Sequence, residues 1–202
     1  MPRWEPNAVG RLQDAAIELF EQQGLERTTV AQITERAGLT ERTFFNHFAT
    51  KTEVLFGPRS DRHREVVVRE IEGCVDSLPP LDVVVHGLQA AADELFEGLR
   101  DASIRRRKII DANPSLQERE EGKRAALIVG VAGALRDRGI DADTALLTAR
   151  AGVLIEQVAE ERWIGSAIAL PFRSVLSNAL TSLRAVVAHN SSSGCGVGRE
   201  PT

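Results

Sequence analysis

The stretch Thr28-Thr29-Val30-Ala31-Gln32-Ile33-Thr34-Glu35-Arg36-Ala37-Gly38-Leu39-Thr40-Glu41-Arg42-Thr43-Phe44-Phe45-Asn46-His47-Phe48 holds two short helical runs separated by one glycine. Thr29 stands three residues before Gln32, the capping-box spacing, so the first run starts at Val30 and buries Val30, Ile33 and Ala37. Gly38 stops it, because a tight turn there needs a residue that tolerates positive φ. Thr40 is placed to cap the second run, on which Phe44 and Phe48 face the core. Upstream, Leu12, Ala16, Leu19 and Phe20 share one face of a longer helix over 8–23 that ends at Gly24. Downstream, Thr50 and Glu53 repeat the capping-box spacing and predict a helix over 51–56, closed by Gly57-Pro58. Two short helices joined through a glycine turn and braced by a third fit a helix-turn-helix and a generic three-helix bundle equally well.

Beyond this segment, proline placement sets the organisation. Pro58, Pro79, Pro80, Pro114 and Pro171 punctuate long stretches rich in Ala, Leu, Glu and Arg. No run alternates apolar and polar residues, so the chain reads as all-α. The pattern predicts further helices over 61–76, 81–100, 103–112, 116–138, 142–164 and 172–188. From Asn190 the sequence turns polar and glycine-rich, and it reads as a disordered tail.

Composition excludes several classes. At 202 residues the chain can bury a core without staples, and Cys74 and Cys195 stand too far apart to suggest a disulfide framework or zinc site. The longest apolar run, Ala125 to Leu135, is too short to span a bilayer, and no apolar signal peptide opens the sequence. A cytoplasmic protein without membrane association is expected. No nucleophile elbow, phosphate loop or paired catalytic acids appear, and His63, His86 and His189 lack metal-ligand spacing. No enzyme activity, metal or cofactor is therefore expected. The net charge of −4 does not by itself point to nucleic acid, so DNA binding would have to come from a few placed groups and helix ends.

The identities within residues 15–51 go further. The set Ala15-Ala16, Leu19-Phe20, Gly24, Thr28-Thr29-Val30, Ile33, Ala37-Gly38-Leu39-Thr40, Thr43-Phe44-Phe45-Asn46-His47-Phe48 and Lys51 closely resembles the DNA-binding domain of the TetR family of transcriptional regulators. The resemblance implies a helix-turn-helix domain over 1–56, a helical ligand-binding and dimerisation domain over 57–189, and a tail over 190–202. It also implies a homodimer, usually a repressor, that binds double-stranded DNA and responds to a small-molecule effector. Two positions depart from the family pattern. Phe45 stands where a tyrosine is usual, removing a hydroxyl that would reach a phosphate, and Thr52 replaces a frequent acidic residue.

Residue chemistry supports the same assignment. Thr28 and Thr29 at one helix N-terminus, and Thr40 at another, offer hydroxyls and backbone N–H groups to phosphates, needing no net positive charge. Arg42, Thr43 and Asn46 fall on the side of their helix away from Phe44 and Phe48. Arginine matches the acceptors of guanine and asparagine the edge of adenine, which makes Arg42 and Asn46 the candidate base readers. His47 and Lys51 match family positions that touch the backbone and set register.

The remainder is less specific. Leu146, Val153, Leu154, Val158, Leu176, Leu180, Leu183 and Val187 stripe the last two helices, for a dimer interface or for an internal core. Gly87, Ala90, Ala91, Ala92, Gly130 and Gly133 suggest either room for an apolar ligand among the central helices or close helix packing. Arg105-Arg106-Arg107-Lys108, followed by Asn113-Pro114-Ser115-Leu116, is similar to a TetR subgroup related to the mycofactocin-system regulator. That basic run reads as a solvated face, with ligand recognition or pairing to acids as alternatives, and Glu160 and Glu161 read as surface or interface charge. A helical small-molecule or partner-binding protein without operator binding is the alternative function. A helical enzyme using His86 or Glu156 ranks last.

Overall fold

A computed structural model describes residues 7–75 and 77–192. Its elements are α1 (Ala8–Gln23), α2 (Val30–Ala37), α3 (Glu41–His47), a single 3-10 turn (Glu53–Leu55), α4 (Gly57–Gly73), α5 (Pro80–Leu95), α6 (Arg100–Asp111), α7 (Pro114–Asp137), α8 (Ala142–Gly165) and α9 (Phe172–Ser192). There is no strand among the described residues. The expected all-α class holds.

The N-terminal signals act as their chemistry requires. Gly24 closes α1 at φ 82° and donates its N–H to the Phe20 carbonyl. At α2 both halves of the capping box form: the Gln32 N–H donates to Thr29 Oγ1 at 3.2 Å, and the Thr29 N–H donates to Gln32 Oε1 at 3.0 Å. Gly38 ends α2 in the left-handed region at φ 65°. Thr40 Oγ1 accepts the Thr43 N–H at 3.1 Å and so caps α3.

Three expectations need correction. Residues 51–56 form one 3-10 turn rather than a helix: Thr50 Oγ1 accepts the Glu53 N–H, but the Glu53 carboxylate pairs with Arg119 of α7 instead of closing a capping box. Gly57-Pro58 opens α4 rather than ending the preceding element, because proline's missing N–H costs nothing in a first helical turn. The segment 81–100 is not continuous helix. It breaks after Leu95, with Gly98 at φ 71°, and α6 then begins at Arg100. At the other end α9 continues to Ser192, past the start of the expected tail, and residues 193–202 of that tail lie outside the described residues.

Two apolar cores result. The larger joins α4, α5, α7, α8 and α9 around Val66, Val84, Leu88, Leu135, Ile155, Trp163 and Leu176. The smaller belongs to the head formed by α1–α3 and the 3-10 turn, around Leu12, Phe20, Ile33, Phe44, Phe48 and Phe56. Ile109 and Ile110 of α6 and Leu116 of α7 are buried in that same head core. The head is therefore keyed to the body by α6, which also packs against α1, α7 and α8. A side chain at Gly57 would bring its Cβ within 2.6 Å of the Phe48 ring, so α4 leaves the head at a point where only glycine fits.

Candidate nucleic-acid interface and ligand cavity

The outward side of α3 is what the caps and the Phe44–Phe48 core leave over. Phe44 and Phe48 are fully buried with ring centroids 5.3 Å apart, which fixes the helix's rotation. Arg42, Phe45, Asn46 and His47 are then exposed, and Thr43 is half-buried with its hydroxyl 2.9 Å from that of Thr40. Arg42 and Asn46 are one helical turn apart and make no hydrogen bond or ion pair within the described residues. Phe45, 55% exposed, sits between them and meets Phe44 edge-on.

The remaining expected contacts divide. Thr29 stands at the α2 N-terminus with its hydroxyl engaged in the cap. Thr28 does not offer a hydroxyl to the outside: it is 1% exposed, and Oγ1 donates to the Gly24 carbonyl at 2.9 Å. The Lys51 ammonium is turned inward as well. It donates to the carbonyls of Leu25 at 2.9 Å, Thr28 at 3.2 Å and Glu26 at 3.4 Å, matching its three N–H groups. Lys51 thus holds the loop that delivers Thr29 to the start of α2. Arg11 does the corresponding work at the other end of α2, donating to the Ala37 and Gly38 carbonyls. The lysine contact was invisible in the sequence, because its partners are main-chain atoms 23 to 26 residues away.

A cavity of about 300 Å³ lies between head and body, walled by α1, the 3-10 turn, α4, α6, α7 and α8. It is not where the small residues suggested. Gly87 is a helix crossing, where a Cβ would stand 2.9 Å from the Val67 carbonyl oxygen. Gly130 similarly faces Val68 of α4.

The wall is rich in charge. Arg106 Nε donates to the Leu55 carbonyl at 2.8 Å, its guanidinium lies 5.1 Å from the Phe56 ring centre, and it donates to Glu120 at 3.1 Å. Glu120 also pairs with Arg107 at 2.7 Å and Arg124 at 3.0 Å. Burial raises the Glu120 pKa, but the surrounding arginines overcome it and hold the carboxyl below its ordinary value. His63 Nε2 lies 2.8 Å from Glu156. Burial depresses the His63 pKa, while Glu156, aided by Glu160, more than restores it, so the net shift is upward. Glu160 is held above the carboxylate range by burial, against the opposing pull of Arg106.

The basic run is accordingly not a solvated face. Arg105 pairs with Glu21 of α1 at 2.6 Å, and Arg106 and Arg107 turn in toward Glu120. Nor is Glu160 surface charge, since its side chain is only 21% exposed. His86, by contrast, is an exposed side chain 4.0 Å from Glu70.

The stripe on the last helices separates into two sets. Val153, Leu176 and Leu180 are core, and Val158 and Leu183 pack partly against it. Leu146, Leu147 and Leu154 of α8 and Val186 and Val187 of α9 are exposed, Leu147 by 70%. None of the helices among the described residues is long and apolar enough to cross a membrane.

Comparison with known proteins agrees with this geometry. Residues 12–56, the span of the head, match the model of "Bacterial regulatory proteins, tetR family". The HTH-type transcriptional regulator TcmR of Streptomyces glaucescens is 56% identical over 45 residues, which cover 22% of this chain and 20% of that protein. Over the whole fold, the chain is similar to the transcriptional regulator FadR of Bacillus subtilis solved with stearoyl-CoA. That likeness has a TM-score of 0.54 at 14% identity and covers 86% of this chain and 96% of that one. The SmeT–triclosan complex is similar at a TM-score of 0.52 and 22% identity, over 87% of this chain and 90% of that one. Residues 12–56 thus match the helix-turn-helix domain of the tetR family of bacterial regulatory proteins, and the chain as a whole shares the fold of the solved regulators FadR and SmeT.

Proposed function

We propose that the chain is a cytoplasmic transcriptional repressor, which binds a near-palindromic operator as a homodimer and is released by a small molecule held in the cavity. The carrying observation is the exposed strip Arg42–Phe45–Asn46, fixed in orientation by the buried Phe44 and Phe48 on a helix that Thr40 caps. In a major groove, Arg42 can donate two hydrogen bonds to a guanine and Asn46 can pair with an adenine edge. Thr29, Thr40, Thr43 and His47 stand around that strip as phosphate contacts, and the helix starts attract anions despite the acidic total charge. The exposed leucines and valines of α8 and α9 supply a self-complementary apolar face for the second copy. Ligand complexes of the structural relatives, with stearoyl-CoA and triclosan, support an effector site in the body. The protein acts by binding rather than catalysis.

A gel-shift titration of the full chain on the DNA upstream of its own coding sequence tests this reading. Retardation that survives competitor DNA is expected with the native chain and is weakened by Arg42→Ala. Equal binding to scrambled DNA would leave a helical binding protein without an operator.

A further inference from the structure

The cavity carries more ionisable groups than an apolar effector would use, and they are not equally satisfied. All of its carboxylates but Asp14, which makes no ion pair among the described residues, already have partners. Glu120 receives Arg106, Arg107 and Arg124. Glu156 lies against His63. Asp61 lies 3.7 Å from Arg64 and 3.6 Å from Lys123. Glu160, 3.9 Å from Arg106, is driven toward its neutral form by burial and by the neighbouring Glu120 and Glu156.

Arg59, in the first turn of α4, has no such partner. It is half-buried, makes no ion pair with a carboxylate among the described residues, and reaches only the side-chain oxygen of Gln13 at 3.5 Å. Burial and the like charge of Arg106 disfavour its cationic form, with Asp14 opposing only in part. A guanidinium cannot escape by losing its proton. A half-buried, under-compensated cation beside a second guanidinium is stabilised by an incoming anion, and best by a carboxylate that accepts two parallel N–H bonds. The apolar part of the lining includes Ile17, Phe56, Phe96, Leu99, Leu127 and Phe172, and the polar side chains of Asn7, Ser60, Ser103 and Gln157 share the wall with it. At about 300 Å³ the space suits a molecule of one or two rings, or a medium-length chain.

Resting on the reading of this cavity as the effector site, we propose that the effector is a small organic anion, an apolar body bearing a carboxylate that Arg59 and Arg106 receive together. Polar contacts on the carboxylate decide orientation, and the aromatic and aliphatic wall takes the body. A neutral isostere of the same shape would leave Arg59 uncompensated and bind correspondingly less well.

Calorimetric titration of the full chain with benzoate, 2-naphthoate and decanoate, each beside its primary amide, tests this. At least one acid should bind, and its amide should bind about tenfold more weakly or worse. Arg59→Gln should bring that acid down to the affinity of its amide while the melting temperature holds. If Arg59→Gln does not fold, Arg59→Lys, which keeps the charge but not the planar fork, should lose part of the discrimination. Amides that bind as tightly as the acids, a panel in which nothing binds, or unchanged discrimination in the Arg59 variants would overturn the proposal. No DNA enters these titrations, so acid selectivity without operator binding would count against the repressor reading alone. Operator binding without acid selectivity would count against the anion alone.

Discussion

Arg42 and Lys51, both expected from the sequence to touch DNA, occupy different chemical positions. Arg42 projects from the first turn of α3 with its donors unengaged, so Arg42→Ala should cost about 1–3 kcal/mol on the operator and relax preference at one base pair per half-site. Lys51 has its donors on three carbonyls, so Lys51→Ala should loosen the loop before α2 and weaken all DNA alike. Its slope of log affinity against log salt should stay unchanged; a lost phosphate contact would instead lower that slope by about one unit. Isotherms at several salt concentrations, on operator and scrambled DNA, separate the two outcomes. Phe45→Tyr restores the hydroxyl usual in the family and should tighten binding slightly without altering specificity.

His63 gives the pH dependence. Its folded pKa lies above the ordinary histidine value, so its contribution to stability is complete below about pH 6.5 and is lost as pH rises through the folded value. Glu160, also raised, favours the folded state at low pH and loses that contribution as pH climbs from about 4.5 toward its folded value. Both act in the same direction. The melting temperature should decline as pH rises above about 6.5, and His63→Gln should flatten that decline. A variant that declines as the native chain does would place the titration elsewhere.

At the scale of elements, α6 is the part that joins cavity to head. Its Arg106 lines the cavity, donates to the Leu55 carbonyl and lies over Phe56, while Ile109 and Ile110 of the same helix close the head core. An effector that draws the Arg106 guanidinium toward itself loosens its hold on the 3-10 turn, and through Phe56 and Gly57 on the junction with α4. Coupling of roughly 1–3 kcal/mol is the usual range for such linkage. Arg106→Gln should therefore leave operator affinity nearly indifferent to effector, whereas the native chain should lose roughly 5- to 150-fold. Paired DNA isotherms with and without effector read this directly, and coupling undiminished in the variant would exclude α6 as the route.

How far these elements could be read beforehand follows from the range of the forces that form them. The caps at Thr29 and Thr40 and the turns at Gly24 and Gly38 are local, and α1, α2 and α3 stand where their residues put them, within a residue at each end. Gly57-Pro58 was ambiguous because a proline stops one helix and starts the next by the same missing N–H. For the basic run of α6 the sequence does not choose between a solvated face and pairing with acids, because its partners Glu21, Glu120 and Glu160 are brought to it only by the fold. The small residues could not locate the cavity for a related reason: they mark helix crossings, as at Gly87 and at Gly152 against Val84, as readily as they mark empty space.

For the whole molecule, the exposed apolar face of α8 and α9 is the proposed interface between two copies. Leu147 is its most exposed leucine, and a buried leucine contributes about 1.5–3 kcal/mol, counted once per copy across a two-fold interface. Leu147→Glu should thus raise the dimer dissociation constant at least about tenfold, seen by light scattering as monomer at concentrations where the native chain is a dimer. A dimer through this face presents two α3 helices to successive major grooves on one side of the duplex. Hydroxyl-radical footprinting on the DNA upstream of the chain's own coding sequence therefore tests the central claim most directly. Two protected patches, related by a near-palindrome and centred about 34–36 Å apart or somewhat more, are the predicted result. Uniform cleavage, or protection without two-fold symmetry, would contradict an operator-binding dimer.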